Sequence, residues 1–323
     1  MIIHAETTLT AAMALLIAAH PDEATAAFRA AGAELPAVID PSTIATEVET
    51  TRGDKRGRLD INAHAGVPVV IEGKLGADLD PVQVADYAAA AGRGAIVINA
   101  MPAVFTETAH KLFRAANLDQ VVVISWEALL QALPNPVAGV IARDLAALAA
   151  TDSRVAQRNE LTLALGEADL GAAMPYVTST TKGYPSIDLY STDHDAAYGQ
   201  IQREKSGKFV GTVGVWTNAR DFQEPERRSV LIRVLRGAER ALDDAGLGTE
   251  YRRWSGVKEV HRLLDMRDKP WLARGFEPQN GGYLGVKVPG DTVVDAIDKS
   301  VRALSVYSRL CRDAWPDGAI ASR

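Results

Sequence analysis

The stretch that decides the fold runs from Arg58 to Leu75. It reads Arg58-Leu59-Asp60-Ile61-Asn62, then a turn signal at Ala65-Gly66-Val67-Pro68, then Val69-Val70-Ile71-Glu72-Gly73-Lys74-Leu75. The first segment alternates polar and apolar residues, the two-residue period of a strand. The second is rich in β-branched residues, so the pair predicts a β-hairpin. Side chains two residues apart in a strand share a face. Glu72 and Lys74 therefore project together, and Asp60 sits between Leu59 and Ile61 on the neighbouring strand. Buried ionised groups are costly unless they are paired or bind a metal. Hard oxygen ligands with open positions suit Mg²⁺, and a lysine beside them can stabilise developing charge or orient a water. Spacing alone leaves equally open an ion pair of Lys74 with Glu72 or Asp60 on a solvated face.

Upstream, Thr10–Ala19 is alanine- and leucine-rich, and Pro21-Asp22-Glu23 starts a second helix with acids in its first turn. After Pro36 and Pro41, Asp40 or Ser42 is positioned to cap a helix reaching about Glu49, which places Glu47 on it. Thr51–Arg58 has a loop's composition. Downstream, Asp80-Pro81 reads as cap and first helical position of a helix that stops at Gly92. A strand at Ala95–Asn99, a helix at Glu107–Ala116, a strand at Gln120–Ser125 and a helix at Trp126–Leu133 follow. This order predicts an α/β sandwich with a mixed sheet.

Beyond Pro134 and Pro136 the pattern predicts helices near 137–150 and 153–173 and then a second α+β unit. Its strands are Ser186–Tyr190, Tyr198–Gln202, Phe209–Trp216 and Tyr283–Val288. Its helices are Pro225–Ala245, Val257–Leu264 and Asp291–Ala314. Two domains are expected, residues 1–150 and 151–323.

Asp60 followed by Glu72-Gly73-Lys74 resembles the PD-(D/E)XK, or restriction-endonuclease-like, nuclease superfamily, whose core runs α-β-β-β-α-β. The likeness extends to Glu47 as a preceding acid and to Gln83 and Tyr87, a QxxxY pattern similar to that of RecB-like members. It covers roughly residues 40 to 126. Gly57 and Arg58 precede Leu59-Asp60, so the proline of the superfamily's name is absent. The resemblance implies Asp60 and Glu72 as ligands of Mg²⁺ or Mn²⁺, with the Gly73 carbonyl as a third. It implies Lys74 as the group that positions the attacking water and Glu47 as an accessory acid. Gln83 and Tyr87 would face the active site from one side of their helix. Plainer roles stay open for three of these. Gln83 can close a capping box with Asp80, Tyr87 can be a core aromatic with a satisfied hydroxyl, and Glu47 can be a surface acid.

Of the six histidines no two lie at metal-ligand helical spacing; His64 reads as a turn residue, as does His194 between Asp193 and Asp195. There is no GxxxxGK[ST] loop, so the chain carries no nucleotide-hydrolysing motor of that kind, and no GxSxG elbow.

The chain has 323 residues, 47% of them hydrophobic, which excludes a disordered protein. Its single cysteine, Cys311, excludes a disulfide scaffold and fits a reducing, cytoplasmic setting. The uncharged run Thr7–Pro21 is too short to span a bilayer. A net charge of −6 speaks against a nucleic-acid partner, but the charge is uneven. Residues 1–150 carry 10 Lys+Arg against 17 Asp+Glu, whereas residues 199–275 carry 16 against 11. Arg228, Arg233, Arg236 and Arg240, with Arg252, Arg253, Lys258 and Arg262, are candidate phosphate contacts. An amphipathic helix with an arginine-rich outer face would look the same. The expected partner is DNA, with RNA open, and duplex cleavage by one site per chain would favour a homodimer. The alternative is a nuclease fold that only binds.

Overall fold

The computed structural model describes residues 2–52, 55–74, 79, 81–92, 94–134, 140–141, 153–180, 183–248, 250–254, 262–275 and 282–315. The chain divides into two compact units, Met1–Leu163 and Ala164–Arg323. The boundary expected at residue 150 lies outside the described residues, as do Asp80, Lys258 and most of the helices expected over 137–150 and 257–264.

The first unit opens with α1 (Ile2–Ala19) and α2 (Pro21–Ala30), the latter with Pro21 in its first turn beside Asp22 and Glu23. The expected helix to Glu49 does not form. The cap signal is real, since the Asp40 carboxylate accepts the Ser42 amide at 2.9 Å, but it closes only one 3₁₀ turn at Pro41–Thr43. Thr46, Val48, Thr50 and Thr51 then favour extended backbone, and Ala45–Arg52 becomes β1. β1 pairs antiparallel with β2 (Lys55–His64) down to Arg52↔Lys55, so the segment expected as a loop supplies two hairpin arms.

β3 (Pro68–Gly73) follows, then α3 (Pro81–Ala91), β4 (Ile96–Met101), α4 (Thr106–Ala115), β5 (Val122–Ser125) and α5 (Trp126–Ala132). The sheet order is β1-β2-β3-β4-β5. The first three strands are antiparallel, and β3, β4 and β5 are parallel, joined by crossovers through α3 and α4. The unit is thus α/β with a mixed sheet, as the pattern predicts, with one more strand than expected.

The two faces of this sheet are unequal. Ile61, Val69, Ile71, Ile98 and Ile124 pack with Met13, Ile17, Phe28, Trp126 and Leu129 in the main core. On the opposite face a smaller cluster joins Leu59, Val70 and Tyr87, with Val48 and Ala91 against it. Glu72 belongs to the thinner side by alternation with Ile71.

The second unit contains a six-stranded antiparallel sheet in the order β10-β11-β9-β8-β7-β6. Its strands are β6 (Ala173–Ser179), β7 (Pro185–Ser191), β8 (Ala197–Arg203), β9 (Phe209–Thr217), β10 (Arg274–Gly275) and β11 (Gly282–Gly290). Its helices are α6 (Ser153–Glu167, which crosses from the first unit), α7 (Ala219–Gln223), α8 (Pro225–Asp244) and α9 (Val293–Ala314). α9 lies against β7, β8, β9 and β11 through a face that includes Ile297, Val301, Leu304 and Tyr307. The helix expected to reach residue 173 ends at Glu167; a turn through Gly171, at φ 47°, leads into β6.

Among the described residues no helix is long and apolar enough to cross a membrane.

Candidate active site

Register places the acids. The β2–β3 ladder pairs Ile61 with Ile71, so Asp60 and Glu72 fall opposite each other one step further along. The Asp60 carboxylate turns back onto β3, where its Oδ2 accepts the Gly73 amide at 2.8 Å. The group of Gly73 seen facing Asp60 is thus its N–H; the implied third ligand was its carbonyl.

Glu72 is 1% exposed. Its Oε1 lies 2.6 Å from Lys74 Nζ, and Lys74 is itself buried. The pair is therefore not a solvated surface bridge. Glu72 Oε2 is buried and accepts no hydrogen bond, while the Glu72 carboxyl lies within hydrogen-bond reach of the Asp60 carboxyl when one of the two is protonated. Loss of solvation pushes the Glu72 carboxyl up to about 8; Lys74 opposes this, and the charge of Asp60 adds to it. The close lysine alone would favour ionisation, but burial and the second carboxylate outweigh it.

The helix after β3 completes the cluster. Lys74 Nζ donates to Gln83 Oε1 at 3.3 Å, and Gln83 Nε2 donates to the Tyr87 hydroxyl at 2.5 Å. Gln83 and Tyr87 are one turn apart on α3, so both side chains reach the same side. Tyr87 packs on Leu59 and Val70 while its hydroxyl accepts the Gln83 amide. Burial raises its hydroxyl pKa to about 12, helped by the charge of Glu72.

Glu47 is a correction in place rather than in sequence. It lies on β1, not on a helix, with φ at +57°, a backbone region that a residue other than glycine seldom adopts. The β1–β2 ladder pairs Thr46 with Ile61 and Val48 with Leu59, and skips the Glu47–Asp60 position between them. Glu47 is thus in register with Asp60 at an irregularity of the strand.

Two residues escaped the sequence reading. Trp126, at the start of α5, donates its indole N–H to the buried Lys74 carbonyl at 2.7 Å, and a Cβ at Gly73 would approach its ring to 3.0 Å. The indole therefore fixes the backbone between Glu72 and Lys74. Asn99 on β4 pairs in register with Glu72 and is 1% exposed, yet neither its Oδ1 nor its Nδ2 has a hydrogen-bond partner. Sequence shows it only as a polar residue in an apolar strand.

The oxygen donors suit a hard divalent cation. Among the described residues no group of three or more His, Cys, Asp or Glu is placed to hold a metal. Two carboxylates suffice for Mg²⁺, which usually takes one or two and completes its shell with water and phosphate oxygens. Glu72 Oε2 accepts no hydrogen bond and the charge of Asp60 disfavours ionisation of Glu72, so a cation held between the two carboxyl groups would favour the charged form.

In the second unit several of the candidate arginines face carboxylates. Arg236 pairs with Asp268 at 2.9 Å, Arg252 with Asp243 at 2.5 Å, and Arg240 lies 3.9 Å from Asp244. Arg233, Arg253 and Arg262 are exposed, and Arg228 is half-buried. The His194 ring bonds Trp315 O and the Ala196 amide, as befits a turn residue.

Comparison with protein-family models, with curated proteins and with solved structures found no match for this chain.

Proposed function

We propose that the protein is a metal-dependent nuclease that hydrolyses DNA phosphodiester bonds at the Asp60–Glu72–Lys74 cluster. The observation that carries this reading is the convergence of two carboxylates, a buried lysine and the Gln83–Tyr87 pair from three successive elements. The element order of the first unit supports it, since α-β-β-β-α-β is what the PD-(D/E)XK resemblance implies.

In this reading Asp60 and Glu72 hold Mg²⁺ or Mn²⁺. When bound, the ion supplies Lewis-acid stabilisation of the charge that develops on the scissile phosphate. Lys74, held between Glu72 and Gln83, orients the attacking water and offsets negative charge in a site with little solvent to screen it. Tyr87 fixes Gln83, and Trp126 fixes the Lys74 backbone. The exposed arginines of the second unit provide phosphate contacts that carry no sequence information. The chain has no GxxxxGK[ST] loop, which favours an endonuclease over a motor-driven nuclease, and duplex cleavage by one site per chain would favour a homodimer. By analogy with nucleases of this kind, the role is a cytoplasmic one in defence or repair.

The test is incubation of the wild type, Glu72→Gln and Lys74→Ala with supercoiled plasmid, short duplexes and matched RNA, in Mg²⁺, Mn²⁺ or chelator. Metal-dependent cleavage of DNA by the wild type alone is expected. Equal products from all three proteins would place catalysis elsewhere. Cleavage confined to RNA would change the substrate. Metal-independent DNA binding without cleavage, unaffected by Lys74→Ala, would make the chain a binding module.

A further inference from the structure

Asn99 is a buried amide without a partner in a strand that gains nothing from it. Its neighbours on β4 are Val97, Ile98, Ala100 and Met101, all buried, and an apolar residue at 99 would avoid the cost of desolvating two polar groups. Parallel pairing puts Asn99 level with Glu72, with the two side chains on one face and the strands about 4.8 Å apart. The two unsatisfied sets are complementary. Glu72 Oε2 can only accept when ionised, and Asn99 Nδ2 has two hydrogens to give.

We infer that Asn99 is a positioning residue for Glu72: its side-chain amide donates to Oε2 through one bridging water and sets the carboxylate for a divalent cation. This rests on the nuclease reading and extends it to a residue outside the acid–lysine pattern. Lys74 holds Oε1 from one side and Asn99 holds the Oε2 side, so the carboxylate plane is fixed at both oxygens.

The test uses the full chain without nucleic acid. Mn²⁺ affinity is measured by calorimetry for the wild type, Asn99→Leu and Asn99→Ala, and each protein is melted in chelator. Leucine is close in size and removes both unsatisfied atoms, so Asn99→Leu is expected to melt at or above the wild-type temperature. It is also expected to bind Mn²⁺ about 10-fold or more weakly, the usual effect of losing an outer-shell partner of a metal ligand. A merely structural asparagine would move both readouts together. Asn99→Ala gives the same comparison if the leucine variant does not fold. A folded variant whose Mn²⁺ affinity stays within about 2-fold of wild type, short of that range, would overturn the inference while leaving the nuclease reading intact. A wild type that takes up no Mn²⁺ would overturn that reading and this inference together.

Discussion

Binding of a divalent ion at Asp60 and Glu72 should expel a proton. Glu72 is buried beside a second carboxylate, and its pKa is pushed up to about 8. Its carboxyl is then about nine-tenths protonated at pH 7 and about one-tenth at pH 9. A metal ligates the carboxylate, so uptake at pH 7 releases about 0.9 proton and at pH 9 about 0.1. Apparent affinity should climb about tenfold from pH 6 to pH 7 and level off above pH 8. The metal-free protein carries the matching penalty. A carboxyl with a raised folded pKa contributes stability that is fully present below its unfolded value of 4.5 and is lost as pH rises through about 8. The melting temperature in chelator should therefore fall across that window, and Mn²⁺ should raise it more at pH 8 than at pH 5. The assay is Mn²⁺ calorimetry in buffers of different ionisation enthalpy at pH 6, 7 and 9. Less than about 0.2 proton released at pH 7, with affinity flat between pH 6 and 7, would refute the reasoning.

Other consequences are checked separately. Lys74→Ala should lower the cleavage rate about 10²- to 10⁴-fold in steady-state kinetics, the range for a positioned group at a reacting centre, while Mn²⁺ uptake persists. Trp126→Phe leaves the buried Lys74 carbonyl without its donor. It should cost about 1–3 kcal/mol in urea unfolding and slow cleavage through a looser Glu72–Lys74 backbone. Arg233→Glu with Arg253→Glu should weaken DNA binding and reduce the salt slope by about 0.9 for each phosphate no longer neutralised. Unchanged affinity and slope would remove the second unit's exposed arginines from the interface.

Much of the site was legible because its signals are local. Glu72 and Lys74 stand out as charges in a β-branched strand, and Gln83 and Tyr87 as polar groups one turn apart on a helix marked by Pro81 and Gly92. What depended on partners far along the chain was not. β1 was hidden because Ala45–Arg52 is polar on both faces and follows a true cap at Asp40, whose effect ends after one turn. β6 was missed because Pro175 lies inside its run, Ala173–Ser179, and a proline argues locally against a strand. Asn99 is uninformative until the β3–β4 register sets it level with Glu72, and no local pattern encodes a parallel register. The arginine stripe was legible as charge, but not the carboxylates of Asp268 and Asp243 that take up two of its members.

The central claim is that Asp60 and Glu72 share a divalent ion. The most direct measurement is anomalous diffraction from a crystal grown with Mn²⁺ at pH 8. The account predicts a manganese peak bridging one oxygen of each carboxylate at about 2.1–2.3 Å, a hard-ion distance to oxygen, and no such peak in Glu72→Gln. A fully occupied manganese elsewhere in the first unit, with Glu72 still bonded to Lys74 alone, would contradict it.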